Sequence, residues 1–192
     1  KKNCYHDVCY NITKLASNMH ELTHTPHIHA GDAELSRTEI KAHFLSGFDR
    51  FESLHKLLNT KEAYFQQPEP LRHPIIFYLG HTAVFFANKL KVAKIIDYSI
   101  DERIESMMAI GVDEMSWDDL NQVNYQWPSV DEVYAYRTKV KTLVLDLIDK
   151  LPLSLPITWN DPFWIILMGI EHERIHLETS SVLFRQLDSK HL

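Results

Sequence analysis

The chain has 192 residues, of which 45% are hydrophobic, enough for one sizeable core and short for two. A formal net charge of -6 and a pI near 6.0, with no basic cluster interleaved with aromatics, argue against nucleic acid or an anionic membrane surface and favour small-molecule partners. No apolar run reaches the ~18 residues that span a bilayer, and the opening KKNCYHDVCY lacks the apolar core of a signal peptide, so a cytoplasmic protein is expected.

Cys4 and Cys9 are the only cysteines and are expected to be reduced surface thiols. The first residue is Lys, which suggests a processed or excerpted chain. Five glycines are few for a β-rich fold with tight hairpins and favour helices. Ile12, Leu15, Met19 and Leu22 predict a modest helix over residues 11–24, ended by Pro26. Within it His20-Glu21-Leu22-Thr23-His24 spells H-E-x-x-H, followed by His27 and His29. The string is terminal, weakly amphipathic and broken after its second histidine, so residues 1–30 read as a solvated His-rich arm.

Ser36-Arg37-Thr38-Glu39 is a capping box that opens a long helix to about Leu58, with Ile40, Phe44, Phe48, Phe51, Leu54 and Leu58 as its apolar stripe. His43 and His55 fall off that stripe and read as flank or surface residues. TKEAYFQQPEPLRHP is a proline-punctuated connection with at most a short helical turn. A second long helix runs from Pro74 to about Ile96, and its face through Phe77, Tyr78, Phe85 and Asn88 includes His81. Residues 99–126 read as short helices and loop, their methionines as core gap fillers. A capping box at Ser129-Val130-Asp131-Glu132 starts the third long helix, which reaches Lys150 and stops before Pro152. Asp161 as N-cap and Pro162 at the first position open the fourth, PFWIILMGIEHERIHLETSSVLFRQL. The expected fold is all-α, a four-helix bundle of up-down type over residues 31–188 with short extra helices and long connections.

His172 and His176 lie one turn apart on a face with Ile165, Met168, Thr179 and Leu183, so both should point inward. His81, on a different core helix, is the best third candidate. Three neutral imidazoles suit iron, zinc or copper and leave coordination positions open, which is the pattern of a catalytic metal. His172-Glu173-Arg174-Ile175-His176 also fits the zinc-protease string, with Glu173 as general base. It lacks the downstream third ligand and an edge strand to hold peptide.

Read as H-x-x-x-H-x-E through His172, His176 and Glu178, the fourth helix resembles the metal-binding helix of the DinB-like bundle superfamily. PLRHPIIFYLGHTAVFFANKL, GVDEMSWDDLN and MGIEHERIHLETSSVLFRQL extend the likeness. Together they look like the N-terminal domain of the ergothioneine/ovothiol sulfoxide synthase family, over about Gly31 to Leu187. The closer similarity is to its ovothiol branch, the 5-histidylcysteine sulfoxide synthases; Ile175 stands where the ergothioneine type tends to carry Gln.

The resemblance implies a mononuclear non-haem Fe(II) held by His81, His172 and His176, acting on cysteine, histidine and dioxygen to form a C–S bond and a sulfoxide. Glu178 is a candidate to orient a ligand imidazole, and Arg72 and Arg103 are candidates to bind a substrate carboxylate. No catalytic residue is assigned within the chain, because the family places its catalytic tyrosine in a lectin-like C-terminal domain. That domain, expected to complete the site, and the family's methyltransferase domain are absent from this sequence. Metal binding with little synthase turnover is therefore expected. Two other readings fit the same bundle: a divalent-metal-dependent thiol transferase that needs no oxygen, and a non-enzymatic interaction module.

Overall fold

A computed structural model describes residues 24–109 and 126–192. Its helices are α1 (Ala33–His55), α2 (Ile75–Val92), α3 (Glu102–Ala109), α4 (Val130–Lys150) and α5 (Pro162–Gln186), with 3-10 turns at Glu62–Phe65 and Ser189–His191. The described residues contain no strand. The predicted helix over 11–24, except its last residue His24, and the GVDEMSWDDLN segment lie outside them.

Side chains that take up the unpaired N–H groups of a first turn decide where these helices start. Asp32 accepts from the amides of Glu34 and Leu35 at 2.8 and 2.9 Å, so α1 begins ahead of the predicted box. Ser36 is instead buried, its hydroxyl donating to the His27 carbonyl at 3.0 Å. The box at Ser129 is formed, with the Ser129 amide 2.7 Å from Glu132 Oε2 and the Glu132 amide 3.3 Å from Ser129 Oγ. Asp161 occupies the N-cap of α5, but its carboxylate turns back to the amide and hydroxyl of Thr158, both at 2.7 Å. α2 ends earlier than the periodicity suggests, where Lys94 adopts a φ of 58° and the Ile95 amide bonds the Leu90 carbonyl at 2.9 Å.

The four long helices form a bundle in which α5 packs on α1 and α2, and α4 packs on the same two. α1 and α2 therefore sit on one diagonal, α4 and α5 on the other. A simple up-down bundle would make consecutive helices neighbours; here the connections over 56–74 and 151–161 cross between diagonal positions. α3 packs against the outside of α2. Phe44, Phe48, Phe51, Leu79, Phe86, Phe163 and Ile166 fill the centre, with Phe44 meeting Phe86 edge-on at 5.6 Å. No described helix is long and apolar enough to cross a membrane.

Arg137 and Glu173 place charge among these aromatic side chains. Arg137 of α4 is fully buried and donates to Glu52 of α1 (3.1 Å), to the Leu79 carbonyl (2.9 Å) and Thr82 hydroxyl (2.8 Å) of α2, and to Glu173 of α5 (2.7 Å). Its guanidinium lies 4.0 Å from the Phe48 ring centroid. Glu173 is 2% exposed; burial pushes its carboxyl up, and Arg137 opposes that rise.

The surface reading of His43 and His55 is corrected, since both are fully buried. An i to i+4 step from Phe51 lands on His55 rather than Leu54, so the histidine continues the stripe. Its Nδ1 lies 2.9 Å from the Phe51 carbonyl, and its ring packs on Phe51 and Phe184. His43 lies against α5, with Nε2 3.3 Å from Glu171 and 3.4 Å from Arg174.

Burial pushes the His55 imidazole down to about 3 from 6.5. A base with a depressed folded-state pKa contributes its full stability above 6.5, and that stability is lost as pH falls towards 3, because the unfolded chain takes up the proton first. For this group the loss between pH 7 and pH 5 is about 2 kcal/mol. Urea unfolding at the two pH values should show the wild type losing more than a His55→Leu variant by about that amount. Equal losses in the two proteins would contradict the assignment.

Candidate metal centre

α2 and α5 approach closely because Gly169 leaves room for a ring. A Cβ at Gly169 would fall 2.2 Å from Phe86 Cε1, inside any tolerable contact. The turns of α2 and α5 that carry the histidines lie beyond this crossing. His81 on α2 and His172 and His176 on α5 converge, with one ring nitrogen of each within 4.8 Å of the others. Ring centroids are 5.1 Å apart for His81 and His172, 4.9 Å for His81 and His176, and 4.5 Å for His172 and His176. No other group of three or more potential ligands gathers among the described residues.

Each imidazole is held by packing. His81 stacks on Phe77 at 4.9 Å, and its Nδ1 lies 2.8 Å from the Met108 carbonyl. That carbonyl belongs to the last turn of α3, where it has no helical partner. Bonding it makes Nδ1 the protonated nitrogen of His81 and sets the ring's direction. α3 is seated hard on α2 at this point, since a Cβ at Gly80 would fall 1.8 Å from Met108 Sδ. His172 stacks on Phe85 at 3.7 Å and 8°, and His176 tilts against Tyr78 at 5.9 Å.

The triad lies in the wall of a cavity of about 1290 Å³ that also touches Arg72, His73, Phe77, Tyr78, Phe85 and Asn88. Its rim is apolar and exposed at Leu71 (56%), Ile175 (58%) and Val182 (50%). Burial, then the neighbouring charges of His176, His81 and Lys89, holds His172 down to about 2. Burial, His81 and Arg72 hold His176 down to about 4. Both are neutral at ordinary pH, which is the form that coordinates a metal.

The buried Nδ1 atoms of His172 and His176 have no hydrogen-bond partner among the described residues. Buried polar nitrogens left this way are costly unless something else binds the ring. Among the described residues the donor set is nitrogen only, with no carboxylate in the cluster, and suits iron, zinc or copper. The three histidines thus fit a metal ion with open positions.

The other candidates separate. Arg72 is exposed and touches the cavity. Arg103 is not among the lining residues: it bonds Glu132 at 2.5 Å on the outer surface, so it is withdrawn as a carboxylate anchor. Glu178 is exposed and does not touch the cavity, because two residues beyond His176 the helix has turned ~200° away. The visible orienting contact is the Met108 carbonyl, a backbone group that no side-chain pattern announces. His24 is exposed and sits 3.3 Å from Glu39; the rest of the H-E-x-x-H string lies outside the described residues. Arg137 and Glu173 were legible in principle. Arg137 falls between Val133 and Val140 at helical spacing, and Glu173 follows Ile166 and Ile170, each a charge on an apolar stripe.

A family model described as the DinB superfamily matches residues 43–180. The chain is also 24% identical over 140 residues to the Ergothioneine biosynthesis protein 1 of Neurospora crassa. That match covers 67% of this chain and 15% of the length of the relative.

Gly169→Ala should cost about 1–3 kcal/mol by overpacking against Phe86. It should also weaken metal binding, since the two ligand-bearing helices must part. Chemical denaturation and metal titration of the variant check both effects, and unchanged values would show that the close approach is not needed.

Proposed function

The chain belongs to the DinB superfamily, and from that premise we propose that it is the metal-binding part of an iron(II)- and dioxygen-dependent sulfoxide synthase of the ovothiol type. His81, His172 and His176 hold one iron(II) ion. The observation that carries this reading is the convergence of three packed imidazoles in a cavity wall, two of them held neutral by burial and each of those two with a buried nitrogen that has no partner among the described residues. The distant likeness to an ergothioneine biosynthesis protein supports the sulfur chemistry. Ile175 beside the second ligand of α5 supports cysteine and histidine as the substrates.

In the proposed reaction a thiol S–H and an imidazole C–H are lost and one C–S bond forms. One oxygen atom of dioxygen ends on sulfur and the other leaves as water with the two hydrogens, so the substrates give up four electrons. Iron(II), when bound, supplies the one-electron chemistry that lets dioxygen react with a closed-shell thiol. The residues of this chain hold and orient. Arg72, whose charge reaches both Tyr78 and His176, binds a substrate carboxylate at the cavity wall. Phe77 and Phe85 fix the ligand rings by stacking. The exposed apolar rim at Leu71, Ile175 and Val182 is covered by a further domain that completes the site, in keeping with the much greater length of the relative. On its own the chain binds metal and turns over little substrate.

Anaerobic iron analysis of the wild type beside His81→Ala, His172→Ala and His176→Ala tests the reading. The wild type should hold about one iron per chain and each variant should bind at least about tenfold more weakly. Iron at 100 times its dissociation constant should raise wild-type stability by about 2.7 kcal/mol. Unchanged metal content in all three variants would favour an interaction module. Tight metal binding with thiol conjugation that needs no oxygen would move the assignment to a thiol transferase.

A further inference from the structure

The helices that carry the three histidines are cross-linked one residue away from the ligands. Thr82 follows His81 on α2, and Glu173 follows His172 on α5. Arg137 reaches both, with Nη1 2.8 Å from Thr82 Oγ1 and Nη2 2.7 Å from Glu173 Oε1. A second Nη1 bond, at 2.9 Å, goes to the Leu79 carbonyl, and Thr82 Oγ1 is itself 3.4 Å from Glu173 Oε1. Successive helical residues are ~100° apart, so pinning 82 and 173 fixes the rotation of both helices. That rotation sets where the 81 and 172 side chains point.

Apolar packing alone resists sliding and rotation weakly, whereas charge-assisted bonds of this length tolerate only small displacements. Stability gives little reason for the pair, because a buried ion pair replaced by apolar groups of similar volume often leaves a protein equally or more stable. We propose that Arg137 and Glu173 are positioning residues of the metal site, a buried ion pair that sets His81 against His172 and His176. The inference rests on the metal-binding reading above.

Cobalt(II) is a suitable probe, because its visible absorption reports ligand geometry directly. The variant Arg137→Met/Glu173→Leu removes the cross-link while filling the space. It should keep metal-free thermal stability near that of the wild type, bind cobalt(II) about ten- to hundredfold more weakly in chelator competition, and show a shifted d–d spectrum. Thr82→Val removes the two Thr82 hydroxyl contacts, with Arg137 and with Glu173, and retains the ion pair, and should show a smaller loss in the same direction with a spectral shift. If the double variant does not fold, Thr82→Val decides the matter. A folded double variant, or failing that Thr82→Val, with wild-type cobalt(II) affinity and spectrum would overturn the positioning role. Failure of the wild type itself to bind cobalt(II) stoichiometrically would overturn the metal reading and this inference with it.

Discussion

A guanidinium with no exposure to water, carried by one of the four long helices and bonded to the other three, is the constraint on which the geometry of this bundle depends. Arg137 gains Glu52 from α1, Leu79 and Thr82 from α2, and Glu173 from α5, with Phe48 against its face. Taking such a group out of water costs several kcal/mol, which is offset only when its donors meet well-placed acceptors. Those acceptors are in place at one axial offset and one rotation of each helix. Removing a single partner would leave a buried charge uncompensated, so the arrangement is far less forgiving than the aliphatic packing around it.

The histidine cluster inherits that precision. Its rings sit between aromatic walls, and one points its Nδ1 at the end of α3, so their directions are set before any ligand arrives. Burial depresses the basicity of His172 and His176, which keeps them neutral at ordinary pH. The same burial leaves their Nδ1 atoms without partners among the described residues. A pair of neutral, underbonded imidazoles beside a third, in a cluster with nitrogen donors only among the described residues, is costly for the fold and ready for a cation. The fold accepts that local cost, while Phe44, Phe86 and Phe163 supply the apolar burial around it.

Much of this was legible from pattern. The i, i+4 pair at His172 and His176 and the inward face of α2 led to the same three residues that the fold brings together. The capping box at Ser129 formed as written, and the scarcity of glycine agreed with an all-helical chain. What escaped the sequence depends on distant partners. His55 looked peripheral because the stripe was drawn through Leu54, one position from the phase that Phe51 sets. Glu173 stands out in the sequence only as the would-be base of a protease string and Arg137 not at all, because each answers the other across the core from a distant part of the sequence. The Met108 carbonyl carries no side-chain signature. Arg103 shows the converse: chemical aptness without position, since Glu132 already engages it.

The central claim is that imidazoles from two helices, and no other side chains, hold one ion. X-ray absorption at the iron edge of anaerobically loaded protein reads this directly. The account predicts three imidazole ligands per iron, seen as directly bonded nitrogen with ring multiple-scattering, and no sulfur from the chain. Fewer than three imidazoles, or a thiolate bonded to the iron, would contradict it.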